Sequence, residues 1–178
     1  VHMHHTRPLP ATSTTRFFLS WLLALLLLVS APFAFAKTYV DNFDGTVTDP
    51  TTGLTWMRCA MGMTWTGSTC SGKVSSYSFD QANALTGTVT FAGQSDWRLP
   101  NIRELQTIVD RTVYDPAIDS VAFPNKNGDF WSSSPHASPP GYESSWYVDF
   151  RDGSTDYTHY YDPRNAVRLV RGGQSFGS

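Results

Sequence analysis

Scarcity narrows the chemistry of this 178-residue chain before any motif does. It has two cysteines, Cys59 and Cys70, and of its five histidines only His136 and His159 lie beyond residue 5. Two histidines that far apart cannot fill a catalytic metal site alone, and two cysteines without a nearby histidine make a poor zinc site. No run of Lys or Arg exceeds one residue. Beyond residue 36 all fifteen acids face eleven of the thirteen basic residues, a formal charge of −4, so no nucleic-acid footprint is expected. There is no Gly-x-Ser-x-Gly elbow and no phosphate loop. Ser132-Ser133-Ser134 has no identifiable base beside it, and Asp149, Asp152 and Asp156 belong to a turn region rather than an acid pair. No catalytic residue is assigned, and no cofactor or metal. There is also no internal repeat, low-complexity tract or linker.

The one long apolar run, Phe17 to Val29, follows Arg7 and Arg16 and precedes Ala34-Phe35-Ala36. A basic start, an apolar centre and a small-x-small end predict a secretory signal over residues 1–36, cut after Ala36. The rival is a retained membrane anchor, but a run of thirteen is short for a span of about 20 residues. The expected product, residues 37–178, is one domain that is secreted, periplasmic or held at the cell surface, with no membrane contact after cleavage. In such a compartment Cys59 and Cys70 read as a disulfide around a small loop.

Asp44-Gly45 and Thr52-Gly53 separate short β-forming runs and predict hairpins. The cluster Asp41, Asn42, Asp44 and Asp49 suggests calcium at first sight. Phe43 and Gly45 stand where an alternating calcium loop needs ligands, so turn chemistry is the better reading and structural calcium the weaker one. Residues 58–76 form a Gly/Ser/Thr-rich loop with Trp65 as its apolar anchor. Ser78 with Gln81 is a capping box opening a short helix to about Leu85. Residues 111–129 read as a long irregular connection. Strands are expected at 130–134, at 145–150 and at 166–171. The sum is an α+β domain, two short helices packed on antiparallel strands with long ordered loops.

Ser95 to Leu105 combines several signals. Trp97 must be buried, Asp96 and Arg98 flank it, and Asn101 with Glu104 caps a helix whose apolar face carries Leu99, Ile102 and Leu105. A charge pair between Asp96 and Arg98 is expected to make this a structural clasp. Trp56, Trp97 and Trp146 are expected in the core, while Trp131 stands between core and an aromatic platform. Arg168 is expected to point opposite Val167 and Leu169, towards an acid or over an aromatic ring.

Read in order, Asp44-Gly45-Thr46-Val47-Thr48-Asp49, Thr52-Gly53-Leu54-Thr55-Trp56, Asp96-Trp97-Arg98-Leu99-Pro100 with Glu104-Leu105, Phe130-Trp131-Ser132-Ser133 and Val167-Arg168-Leu169-Val170-Arg171-Gly172 resemble the Lcl C-terminal domain family (DUF1566). The resemblance spans essentially all of residues 37–178. It implies a C-type-lectin-like fold and extracellular binding, including adhesion to sulfated glycans. The end of the chain, Arg168 to Phe176, is also similar to the ends of lectin-fold proteins diversified by retroelements. In those proteins variable positions rich in Tyr, Asn, Ser, Asp, His and Thr form the binding face, and residues 154–165 have that palette. Tyr offers large amphipathic contact area at little entropy cost, and Ser adapts its hydrogen bonds. A ligand surface is therefore expected from Trp131, Ser133, His136, Tyr142, Ser144, Asp156, Tyr157, His159, Tyr160, Tyr161 and Asn165, with an extracellular glycan or protein as partner. A solvated hairpin with aromatic cross-strand pairs is the plainer reading of the same residues. Two other classes stay open: a secreted oxidoreductase like the formylglycine-generating enzymes that share the lectin-like fold, and a structural subunit of a surface appendage. The oligomeric state is left open.

Overall fold

The computed structural model describes residues 38–124, 128–137, 144–158 and 163–173; the segment read as a signal lies outside them. Among the described residues no helix is long and apolar enough to cross a membrane. The chain opens with β1 (Val40–Asp41), β2 (Thr46–Asp49) and β3 (Leu54–Met57) as an antiparallel meander. Both connecting turns are built by the acids that precede them. Asp44 Oδ1 accepts from the Thr46 N–H at 2.9 Å, and Asp49 Oδ1 accepts from the Thr51 N–H at 3.0 Å. Gly45 closes the first turn at φ +89°, where an added Cβ would come within 2.9 Å of Phe91 and 3.0 Å of Trp65. Glycine is required there by both conformation and space.

Beyond β3 the loop read as irregular contains a short ladder, β4 (Met63–Trp65) with β5 (Cys70–Gly72). The Cys59–Cys70 disulfide ties this ladder to the chain leaving β3. The two helices among the described residues are α1 (Phe79–Asn83) and α2 (Ile102–Thr107), each opened by the complete capping box its sequence predicts. β6 (Asp129–His136), β7 (Ser144–Asp149) and β8 (Ser154–Tyr157) make a second antiparallel sheet. The last strand, β9 (Val170–Gly172), returns to pair with β3, giving the order β1-β2-β3-β9. The architecture is α+β, mostly antiparallel.

Two aromatic-rich cores fill the space around the sheets. Trp56, Leu105, Ile108, Phe123, Phe130 and Phe150 belong to one, and Met57, Trp97, Leu99, Trp131 and Leu169 to the other. Neighbours in a strand point to opposite faces. Trp56 and Met57 in β3, and Phe130 and Trp131 in β6, therefore enter different cores, so both strands are buried on both sides. This settles Trp131, whose ring has no exposed surface. Its indole N–H donates to the Tyr77 carbonyl at 2.7 Å, and Phe79 meets it edge-on at 5.7 Å.

The clasp around Trp97 forms with different partners from those expected. Asp96 accepts from Arg171 at 2.7 Å, and Arg98 makes a two-pronged pair with Glu104 at 2.6 and 2.8 Å. Successive strand-like residues face opposite ways, so Asp96 and Arg98 share a side, yet each finds a longer-range partner there. Backbone bonds between Arg98 and Val170 run in both directions at 2.9 and 3.0 Å, adding Arg98 to the open side of β9. Glu104 is buried, and its second oxygen also accepts from the Asn101 N–H at 2.9 Å, so one carboxylate closes the capping box and anchors the clasp.

Arg168 meets one of its two expected settings, packing over aromatic rings of one core while Val167 and Leu169 enter the other. Residues 167–169 lie outside β9, and Val167, Arg168 and Leu169 are all buried. The guanidinium lies 4.7 Å over Phe123 and 5.4 Å from Phe130, and it donates to the carbonyls of Met57 (2.9 Å) and Arg58. Burial draws its pKa down to about 9.

Candidate ligand-binding surface

The sheet of β6, β7 and β8 changes character halfway along. Trp131 pairs with Tyr147, but the next described pairing is Pro135 with Ser145. Three residues of β6, Ser132 to Ser134, thus face the single residue Trp146, and the ladder is broken there by a bulge. Serine hydroxyls replace the missing ladder bonds. Ser132 Oγ donates to the Trp146 carbonyl at 2.7 Å, and Ser145 Oγ reaches the carbonyls of Ser132 and Ser134 at 3.1 and 2.7 Å. Ser134 Oγ accepts from the Ile102 N–H at 3.0 Å, fixing the start of α2 to the bulge. The serine run is therefore a structural joint.

Past the bulge, three rings gather on one face. His136 stacks on Tyr157 with centroids 3.7 Å apart and planes 8° apart. Trp146 stands edge-on to both, at 5.0 Å from His136 and 5.4 Å from Tyr157. Strand pairing explains the meeting, because Trp146 is the register partner of Tyr157, and His136 follows one residue after Pro135 resumes the ladder. All three are half-buried, so Trp146 is not the core residue that its alternation with Val148 and Phe150 suggests. Those two stay in the core, and the face they share opens at Trp146. His136 Nδ1 is buried with no hydrogen-bond partner. Asp156 is exposed beside the cluster, with its carboxylate accepting from the Tyr157 N–H at 2.7 Å.

The other expected contacts distribute as follows. Ser133 is half-buried, and its N–H donates to the Pro100 carbonyl. Ser144 is buried, with its hydroxyl donating to the Thr158 carbonyl at 3.0 Å. Asn165 is buried and bridges Tyr77 through backbone bonds in both directions. Trp131, Ser144 and Asn165 thus offer a ligand no area, because each is buried. Tyr142, His159, Tyr160 and Tyr161 lie outside the described residues. His136 and Tyr157 are brought together and Trp146 joins them, whereas Asp156, the register partner of Tyr147, is exposed one position away in β8.

Electrostatics around this sheet are modest. Burial, followed by the neighbouring Asp149, pushes the Asp129 carboxyl above its ordinary range. The Ser154 hydroxyl and N–H hold Asp152 below it. Among the described residues no group of three or more His, Cys, Asp and Glu side chains is gathered to hold a metal. Cys59 and Cys70 are bonded to each other. Of the acids that suggested calcium, Asp41, Asp44 and Asp49 each accept bonds from their own turns.

A residue that sequence reasoning passed over is Arg58. It is buried, donates to Asp41 at 2.6 Å and to the carbonyls of Val121 and Ala122, and lies 4.2 Å over the Trp65 ring. The Phe43 N–H, then Arg58, hold the Asp41 carboxyl below its usual range. Arg58 anchors the irregular connection after α2 to the first sheet. Its only sequence signal is a charge placed directly after an apolar strand.

The molecule is thus a disulfide-bonded α+β domain that exposes an aromatic cluster at the open end of its second sheet. It belongs to the Lcl C-terminal domain family, whose model matches residues 45–171. No curated protein matches the chain.

Proposed function

We propose that this is an extracellular binding domain of C-type-lectin-like architecture that takes a glycan or protein ligand on the His136–Trp146–Tyr157 face. The observation that carries the reading is that cluster. Three rings are held together at a strand end by backbone pairing and a serine-filled bulge, yet each keeps part of its surface in solvent. Half-buried rings of this kind offer flat apolar area without the entropy cost of ordering long side chains on binding. Family membership supports the reading, and the resemblance implies sulfated glycans among the ligands. Secretion is part of the proposal and fits the disulfide and the signal-like start of the chain.

The test is a glycan array carrying neutral and sulfated glycans, probed with the purified protein and with Tyr157→Ser, Trp146→Ala and Asp156→Ala variants. Ligands found by the parent should be weakened at least about tenfold by each ring substitution, a difference of about 1.4 kcal/mol. Melting of the Asp156→Ala variant should match the parent. Unchanged binding by both ring variants would place the ligand elsewhere. Glycan binding absent from the array, with the same ring dependence found for an extracellular protein, would select the protein ligand.

A further inference from the structure

Four methionines occur in the chain, and the three beyond residue 36, namely Met57, Met61 and Met63, all line one cavity. The cavity measures about 120 Å³. Its wall is completed chiefly by Trp65, Phe91 and Val89, with Thr90 the one hydroxyl side chain among the described residues lining it. Methionine ordinarily fills irregular gaps in a core because its unbranched chain adapts. Here three adaptable side chains surround unfilled space.

The backbone that carries them is fixed. Met57 ends β3, and its N–H donates to the Leu169 carbonyl at 3.1 Å. The Met61 N–H donates to the Val167 carbonyl at 2.9 Å, the Met61 carbonyl accepts from the Ser75 N–H at 2.9 Å, and the Met63 N–H donates to Ala60 at 3.1 Å. Gly62 sits between the last two methionines at φ +89°, where an added Cβ would collide with Ser75. The Cys59–Cys70 disulfide clamps the same turn. A hydrogen-bonded, disulfide-clamped turn thus carries three flexible thioether side chains that line one space, and bringing their sulfurs to one ion requires side-chain rotation alone.

The donor chemistry selects the ion. Thioethers are soft ligands that favour Cu(I) over hard divalent cations, which seek carboxylates, carbonyls and water. Among the described residues no carboxylate or imidazole lines the cavity, and the sulfur of Cys59 is bonded to Cys70. Arg58, which lies over the ring of the lining residue Trp65, is paired with Asp41 at 2.6 Å, so its charge is balanced.

We propose that Met57, Met61 and Met63 form a binding site for a soft monovalent ion, Cu(I) or its redox-inert analogue Ag(I). Thioethers carry no proton in the accessible pH range, so the affinity is independent of pH between 5 and 8, unlike that of a histidine or cysteine site.

Titrating the purified, disulfide-intact protein with Ag(I), and with Cu(I) in competition with a chromogenic chelator, tests this. The expected result is one ion per chain, with affinity lowered more than about tenfold in Met61→Leu/Met63→Leu, since even outer partners of metal ligands are worth that much. Full affinity in that variant overturns the proposal. A second readout on the unmutated protein does not depend on the variant folding. At one equivalent of Ag(I), the Cε methyl resonances of Met57, Met61 and Met63 should all shift. Any one of the three left in place at saturation overturns the three-thioether site.

Discussion

Asp129 shows how far a single side chain can be read from its surroundings. Its carboxyl is raised by burial and then by Asp149, so the folded state holds its proton more tightly than the unfolded chain does. An acid shifted upwards opposes folding once both states are ionised. Its contribution is fully retained below the unfolded value of about 4 and is lost as pH climbs through the raised folded value. Asp129→Asn should therefore raise the melting temperature at pH 7, and the gain should vanish by pH 3. An equal gain at both pH values would show that the carboxyl is not strained by its setting. Nothing in the local sequence announces this, because Asp129 and Asp149 are twenty positions apart and meet only as register partners. The Asp96 and Arg98 pairing was hidden for the same reason. Which charges lie near Trp97 was legible, whereas their partners, Arg171 and Glu104, depend on where β9 docks. For Arg168 the alternation was legible, since Val167 and Leu169 enter one core and its guanidinium lies over Phe123 and Phe130 of the other; which of an acid or a ring it would meet was not.

At the scale of elements the legible parts are those with local causes. Both capping boxes, the Asp-Gly and Thr-Gly turns and the Cys59–Cys70 bridge formed as the spacing predicts. The misread parts have non-local causes. The ladder of β4 and β5 lies in a stretch whose Gly, Ser and Thr content reads as loop, and the disulfide imposes order that propensity does not supply. The bulge in β6 could not be read from Ser132-Ser133-Ser134, because a run of serines looks the same whether its hydroxyls face water or replace ladder bonds. Trp146 was expected inside because it alternates with Val148 and Phe150, and alternation does not show where a shared face opens to solvent. The disulfide can be weighed directly. Closing a loop of 11 residues' separation restricts the unfolded chain by an amount worth about 2–3 kcal/mol. Cys59→Ala/Cys70→Ala should lose about that much in urea unfolding, and a loss below about 0.5 kcal/mol would mean that β4 and β5 hold without the bridge.

Across the whole molecule, the end of the chain closes what the beginning opens. β9 pairs with β3, its Val170 is shared in both directions with Arg98, Arg171 holds Asp96, and the Gly172 carbonyl accepts from Arg98. Val170 belongs to the core of Trp56 and Phe130, and Leu169 to that of Trp97 and Trp131. Four residues, Leu169 to Gly172, thus link the first sheet, the clasp that caps α2, and both cores. The aromatic face stands on β6, whose Ser133 and Ser134 are bonded to Pro100 and to the start of α2. Ending the chain after Leu169 removes the ladder bonds of β9, the partner of Asp96 and one fully buried valine. Summed over these losses the effect is several kcal/mol, a large part of the roughly 5–15 kcal/mol that holds a domain of this size together. The truncated chain should show no cooperative melting transition, and its binding face should fail along with its core. A Val170→Ala variant, which keeps every backbone bond, should still melt cooperatively with a loss of about 1–3 kcal/mol. If the truncated protein instead melts in a single step near the parent temperature, the two cores are joined by the helices and loops alone, and β9 is only an edge.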